Sequence, residues 1–162
     1  EIYSYEAGKS DKKSFVARPD LASTTYTLME IAKKERRKED WKSLIKNGWN
    51  QVVKADLGII ASGEQIIEHY ESEIGDILTK HYNDTSAVEM EGFGFAKAAM
   101  RQGRGNSQMM IGVVRGISDI IGQPSKKKTE EEDTDRRPEN AKQLASDTAA
   151  AFTYWLIFKA LP

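Results

Sequence analysis

Two stretches decide the fold: Ser86-Ala87-Val88-Glu89-Met90-Glu91-Gly92-Phe93-Gly94-Phe95-Ala96 and Gln108-Met109-Met110-Ile111-Gly112-Val113-Val114-Arg115-Gly116-Ile117-Ser118-Asp119. Residues 85–88 are short and mostly apolar, as a strand requires. Residues 91–100 carry Phe93, Phe95, Ala96, Ala99 and Met100 at helical spacing, a broad apolar stripe. Residues 108–114 form an almost unbroken apolar run, the composition of a strand buried on both faces. Strand, helix and strand in this order predict a βαβ unit with a right-handed connection. Ligands of open α/β sheets lie outside the carboxyl ends of the strands. Glu89, Met90, Glu91, Arg115, Ser118 and Asp119 all fall there.

Working outward, residues 57–61 read as a further buried strand. Ser62-Gly63 at its end reads as a strand-to-helix turn with a capping serine, and residues 65–70 begin a helix or turn. Residues 71–82 predict a helix that covers the sheet. Residues 1–6 alternate weakly and fit a strand, whereas 7–20, with Gly8, three lysines and Arg18-Pro19, read as a loop. Ser23 or Thr24 can cap a helix running through Leu28, Ile31 and Ala32. The basic residues between Lys33 and Lys38 suit the negative end of that helix. A nucleic-acid patch is the competing reading, and Glu30, Glu35, Glu39 and Asp40 interleaved among the bases speak against it. Trp41, Leu44 and Ile45 continue a helical face that Asn47-Gly48 stops. Residues 122–140 run from Lys126-Lys127-Lys128 into Glu130-Glu131-Glu132-Asp133 and read as a mobile, solvated loop, either plain surface or a lid. Pro138 suits a first helical turn, and Ala141, Leu144, Ala145, Thr148, Phe152, Trp155 and Leu156 predict a closing helix packed on the sheet.

The 162 residues suffice for one domain spanning the whole chain. With 24 Lys plus Arg against 25 Asp plus Glu, no overall field steers the chain to nucleic acid or a membrane surface. Cysteine is absent, which removes disulfides and thiol chemistry and fits a cytoplasmic protein. His69 and His81 belong to no ligand cluster, so neither a bound metal nor another cofactor is expected. The chain opens on Glu1 without methionine and reads as a piece of something longer.

Val88-Glu89-Met90-Glu91 followed by Val113-Val114-Arg115-Gly116-Ile117-Ser118-Asp119, with Ala61-Ser62-Gly63 upstream, resembles the paired motif of the nucleoside phosphorylase and nucleosidase superfamily. The nearest branch is the methylthioadenosine/adenosylhomocysteine nucleosidase type, and there is similarity to nucleosidase-like domains fused to signalling or defence modules. The resemblance implies a three-layer αβα fold with a central mixed sheet, here the C-terminal part of the domain. It also implies a purine nucleoside or nucleotide as ligand, phosphate as a second ligand in phosphorolysis, and either a homo-oligomer or association with the N-terminal remainder.

By the same resemblance, Asp119, held by Ser118, protonates the leaving base. A positioned acid of raised pKa can do this, and burial at a strand end would raise it. Glu91 would take both ribose hydroxyls with its two acceptor oxygens, and its charge would steady a cationic sugar. Met90 would lie against the sugar. Glu89 would face the same cavity, since residues two apart on a strand share a face, or else pair with Arg115. Ser62 and Gly63 would line the base pocket, with Ile66 against the purine and the Ile67 backbone reading its edge. Gly92, where relatives often have alanine, would simply leave room. The glycine-rich opening segment and glutamate base of the hydrolases are not found, so residues 1–162 alone are expected to turn over little. Three readings stay open: half of an enzyme site, a nucleotide-sensing module without turnover, and an interaction domain with a decayed site.

Overall fold

The computed structural model describes residues 1–10, 15–18, 20–46, 52–65, 67, 71–103, 109–119, 121 and 140–161. Among these the main sheet has four strands in the order β4-β1-β5-β6. β1 (Ile2–Ser4) runs antiparallel to β4 (Asp20–Ala22) and parallel to β5 (Ile59–Ser62), with Ile2 opposite both Ala22 and Ile60. β5 runs parallel to β6 (Thr85–Glu89), and the register slips between Ile59 and Ile60. The sheet is therefore mixed, as expected.

Alternation along the strands sorts the core into two faces. Ile2 and Ile60 meet Ala22, Ala96, Phe93 and Val113 on one face, where α3 (Gly92–Gln102) lies. Tyr3, Tyr5, Ala61 and Val88 meet Ile74, Ile77, Leu78 and Tyr82 on the other, where α2 (Glu73–His81) lies. Ser72 starts α2 by accepting the Gly75 N–H at 3.1 Å. Helices on both faces of a mixed sheet give the α/β architecture that the sequence predicts.

A third cluster forms between helices. α1 (Tyr26–Lys38), the 3₁₀ turn Asp40–Leu44 and α4 (Ala141–Trp155) bury Ala32, Trp41, Ile45, Ala151 and Phe152, joined by Leu156 from the π-helical turn that follows α4. The Trp41 and Phe152 rings cross edge to face with centroids 5.2 Å apart. Glu35 is buried here and accepts from Trp155 Nε1 and from Lys38 Nζ, both at 2.8 Å. The Lys38 and Trp155 hydrogen bonds hold its carboxyl below the usual range, against the effect of burial.

Four expectations need correction. Residues 7–20 are not plain loop: β2 (Gly8–Ser10) pairs with β3 (Phe15–Ala17) as a hairpin, and β4 begins at Asp20. Residues 109–119 form neither strand nor helix. Their apolar composition is strand-like, but the Ile111 backbone bonds to Thr25 instead of a ladder. Its N–H donates to Thr25 Oγ1 and its carbonyl accepts the Thr25 N–H, each at 2.8 Å. Thr25, rather than Ser23 or Thr24, is thus the N-cap of α1, and its hydroxyl serves this neighbour instead of its own helix. Finally, α4 has its core partners in α1 and the 3₁₀ turn, with Gly116 of the 109–119 segment against Ala145; a Cβ at position 116 would lie 1.9 Å from the Ala145 carbonyl oxygen. The charged stretch 122–139, Pro138, the Asn47-Gly48 stop and Ile66 lie outside the described residues.

Candidate functional site

The carboxyl ends of β1, β5 and β6 meet the start of α3. The Gly63 N–H donates to the Glu89 carbonyl at 3.1 Å, and the Tyr5 N–H donates to the Ser62 carbonyl at 3.2 Å. Ser62 is buried, and its Oγ accepts the Phe93 N–H at 3.2 Å. It is a capping serine, as its position predicts, but it caps α3 rather than a helix of its own. Gly63 leaves room for a neighbouring ring. A Cβ there would stand 2.1 Å from the Tyr5 ring, which lies over the turn and donates its hydroxyl to the Gln65 carbonyl at 3.1 Å. Burial pushes that hydroxyl above its ordinary pKa.

Glu89 is the last residue of β6, and its side chain is 0% exposed. Its Oε2 accepts the N–H groups of Glu91 at 2.9 Å and Gly92 at 2.7 Å, the unpaired donors at the beginning of α3. A carboxylate at a helix N-terminus also meets the positive end of the peptide dipoles. Its Oε1 is buried without a hydrogen-bond partner and lies where a Cβ on residue 92 would come within 2.8 Å. Gly92 therefore does more than leave room: its missing side chain is the seat of the Glu89 carboxylate.

Glu91 is the N-cap residue of α3 and points outward, its side chain 67% exposed. Arg115 connects the two carboxylates. Its Nη1 lies 3.1 Å from Glu91 Oε2 and 3.4 Å from Glu89 Oε2. The first charged residue of the second motif thus reaches both acids of the first, although no strand carries it there.

Six of the ten predicted residues belong to this arrangement: Ser62, Gly63, Glu89, Met90, Glu91 and Arg115. Met90 is exposed between the two glutamates. Ile67 is half-buried and packs with the Tyr5 and Ala61 cluster on the α2 face. Ser118 is half-buried and Asp119 exposed, so Asp119 lacks the burial expected of a proton donor. Sequence reasoning overlooked Tyr5 as the cover of Gly63 and Gly92 as the seat of Glu89. Glycine directly after Glu-Met-Glu was the available signal, since glycine marks places of close approach.

An apolar groove of about 650 Å³ adjoins this arrangement at Arg115 and runs along the amino-terminal ends of β5 and β6, between α1 and α4, with Gly112 and Val113 also on its wall. Glu91 and Asp119 do not line it. Among the described residues, no group of three or more His, Asp or Glu side chains is arranged to hold a metal ion, and no helix is long and apolar enough to cross a membrane.

A model of the phosphorylase superfamily matches residues 3–153, nearly the whole chain. Comparison with curated proteins and with solved structures gave no match.

Proposed function

We propose that this chain, which belongs to the phosphorylase superfamily, supplies the ribose-binding and base-protonating side of a site that cleaves the N-glycosidic bond of a purine nucleoside or nucleotide. Hydrolysis is preferred over phosphorolysis on the likeness of the motif pair to nucleosidases. One observation carries the reading: Arg115 ties Glu91 to the segment that bears Ser118 and Asp119. Arg115 of the second motif reaches the first at the end of β6, and strand ends are where α/β sheets hold ligands.

The roles follow from the chemistry of each group. Glu91 is exposed and anionic, with one oxygen held by Arg115. A carboxylate oxygen has lone pairs to spare, so the pair of oxygens can still accept both hydroxyls of a ribose. Negative charge below the sugar also stabilises the cation that develops as the bond to the base weakens. Met90, exposed beside it, offers an apolar surface to the sugar. Asp119 donates a proton to a purine ring nitrogen, with Ser118 as its neighbour. In this reading Ser62 and Gly63 shape the base side through the turn they build. Self-association goes with the same reading and is supported by Tyr154, Ile157 and Phe158, exposed together at the C-terminal end. So does a cytoplasmic location, where nucleosides are turned over.

A second reading has its own support. Asp119 is exposed, whereas a general acid gains its raised pKa from burial. This favours a nucleotide-sensing module in a signalling or defence protein, which binds without turnover.

The deciding experiment measures binding of adenosine and of adenine by calorimetry, and base release with and without inorganic phosphate. Adenosine should bind tighter than adenine, and Glu91→Ala should erase the difference. Base release by residues 1–162 alone should be slow and should fall about a hundredfold or more in Asp119→Asn. Acceleration by phosphate would move the assignment to phosphorolysis. Ribose-dependent binding with no base release would establish the second reading. Equal affinity for adenosine and adenine would remove the role given to Glu91.

A further inference from the structure

We infer that Glu89 is a positioning residue: it does not touch the sugar but fixes the main chain of Glu91 and the guanidinium of Arg115, and through both it aims the Glu91 carboxylate at a vicinal diol. This rests on the ribose-gripping role proposed for Glu91.

The geometry is a closed circuit. The Glu91 N–H donates to Glu89 Oε2 at 2.9 Å, Arg115 Nη1 approaches that same oxygen at 3.4 Å, and it reaches the Glu91 carboxylate at 3.1 Å. Glu91 is thereby held at both ends, by its backbone and by its head group. Without the circuit, an exposed glutamate at a helix start would sample several rotamers, and a ligand would have to order it. Ordering one such side chain costs about 0.5–1.5 kcal/mol of binding, a factor of about two to ten.

Direct binding of the sugar by Glu89 fits the structure less well. Its side chain is 0% exposed. Oε2 already accepts two backbone N–H groups, and Oε1 is closed off from solvent beside Gly92. A ligand hydroxyl has no open path to either oxygen. The buried charge is met by the first N–H groups of α3 and by Arg115, which explains a carboxylate rather than a neutral cap.

The test uses the full chain and two probes, adenosine and adenine. Their affinity ratio is the ribose increment. Glu89→Gln keeps an acceptor oxygen for the two N–H groups but removes the charge that holds Arg115. It should lower the ribose increment about three- to tenfold, leave adenine affinity unchanged, and have no further effect in the Glu91→Ala background. An unchanged increment would overturn the inference. So would an equal loss of both affinities, which marks general damage, or a loss that persists with Glu91→Ala, which marks direct contact. Hydrogen exchange followed by NMR needs no ligand. In Glu89→Ala the Glu91 and Gly92 amides should exchange about tenfold faster while the α2 amides stay unchanged. If adenosine binds the parent chain no tighter than adenine, the Glu91 role fails, and exchange still decides whether Glu89 holds this turn. Protection equal to the parent's would refute that hold.

Discussion

Two buried glutamates in this chain solve the same electrostatic problem for different ends. Glu35 is a buried residue of α1 and spends both oxygens on side chains, the Trp155 indole of α4 and the Lys38 ammonium of its own helix. Glu89 lies at the end of β6 and spends one oxygen on two backbone amides, with Arg115 at its side. The Trp155 donor ties α4 to α1 through Glu35, so its energy goes into the assembly of the core. The donors of Glu89 belong to a single turn that carries an exposed carboxylate, so its energy goes into the placement of that group. A buried acid is thus not evidence of a functional site in itself. What its donors are attached to decides which role it has.

Substitutions can break this contrast at either glutamate. Glu35→Ala should have the largest effect on stability, a loss of about 2–3 kcal/mol, because a buried indole N–H and an ammonium lose their acceptor. Urea denaturation would measure it, and adenosine binding at a temperature where the variant is folded should be unchanged. The pH dependence follows from the same residue. Its folded-state pKa is depressed below the reference 4.5, so its contribution is present above that value and disappears as pH falls through the lower folded value. Melting temperature should therefore drop more steeply below about pH 4.5 in the parent chain than in Glu35→Gln. Trp155→Phe keeps most of the ring and removes one donor, for an expected loss of about 1–2 kcal/mol. Glu89→Ala should cost only about 1 kcal/mol, the worth of a helix cap, because removing a buried charge offsets part of the loss. If it instead destabilises the chain as much as Glu35→Ala, the two sites are alike and the contrast fails. Gly92→Ala should be smallest, about 0.5–1 kcal/mol. The added methyl displaces the Glu89 carboxylate while alanine itself favours the helix. Faster exchange of the Glu91 amide in that variant would show the displacement directly.

The sequence pattern read well where side-chain periodicity governs. The strand–helix passage from Val88 into the Phe93 and Ala96 face, the Ser72 helix and the closing helix through Phe152 all have the spacing they need. It read poorly where a rule was carried past the element that obeys it. Two readings are open for Glu89 from sequence: a pair with Arg115, which the 3.4 Å contact matches, and a face shared with Glu91, as strand residues two apart have. But β6 ends at Glu89, and Glu91 already has the backbone angles of a helix start, φ −113° and ψ −25°, so one acid turns inward and the other outward. The segment 109–114 misled in a similar way. Its side chains are those of a buried strand, yet strand formation depends on a neighbour for its backbone groups, and Thr25 takes those of Ile111. The role of Ser62 was legible only in part, since the amide it caps, that of Phe93, lies 31 positions later.

Gly116 gives the second motif a steric tie to the C-terminal helix. The Ala145 carbonyl occupies the volume where any other residue at 116 would carry its first carbon. Mutational scanning would therefore score position 116 as intolerant, and its place directly after Arg115 would invite a chemical explanation. The intolerance would be one of volume: a larger residue pushes the α4 backbone away and drags the neighbouring guanidinium with it. Enlarging the contact from the other side, by shifting α4, should reproduce the same defect with every motif residue intact.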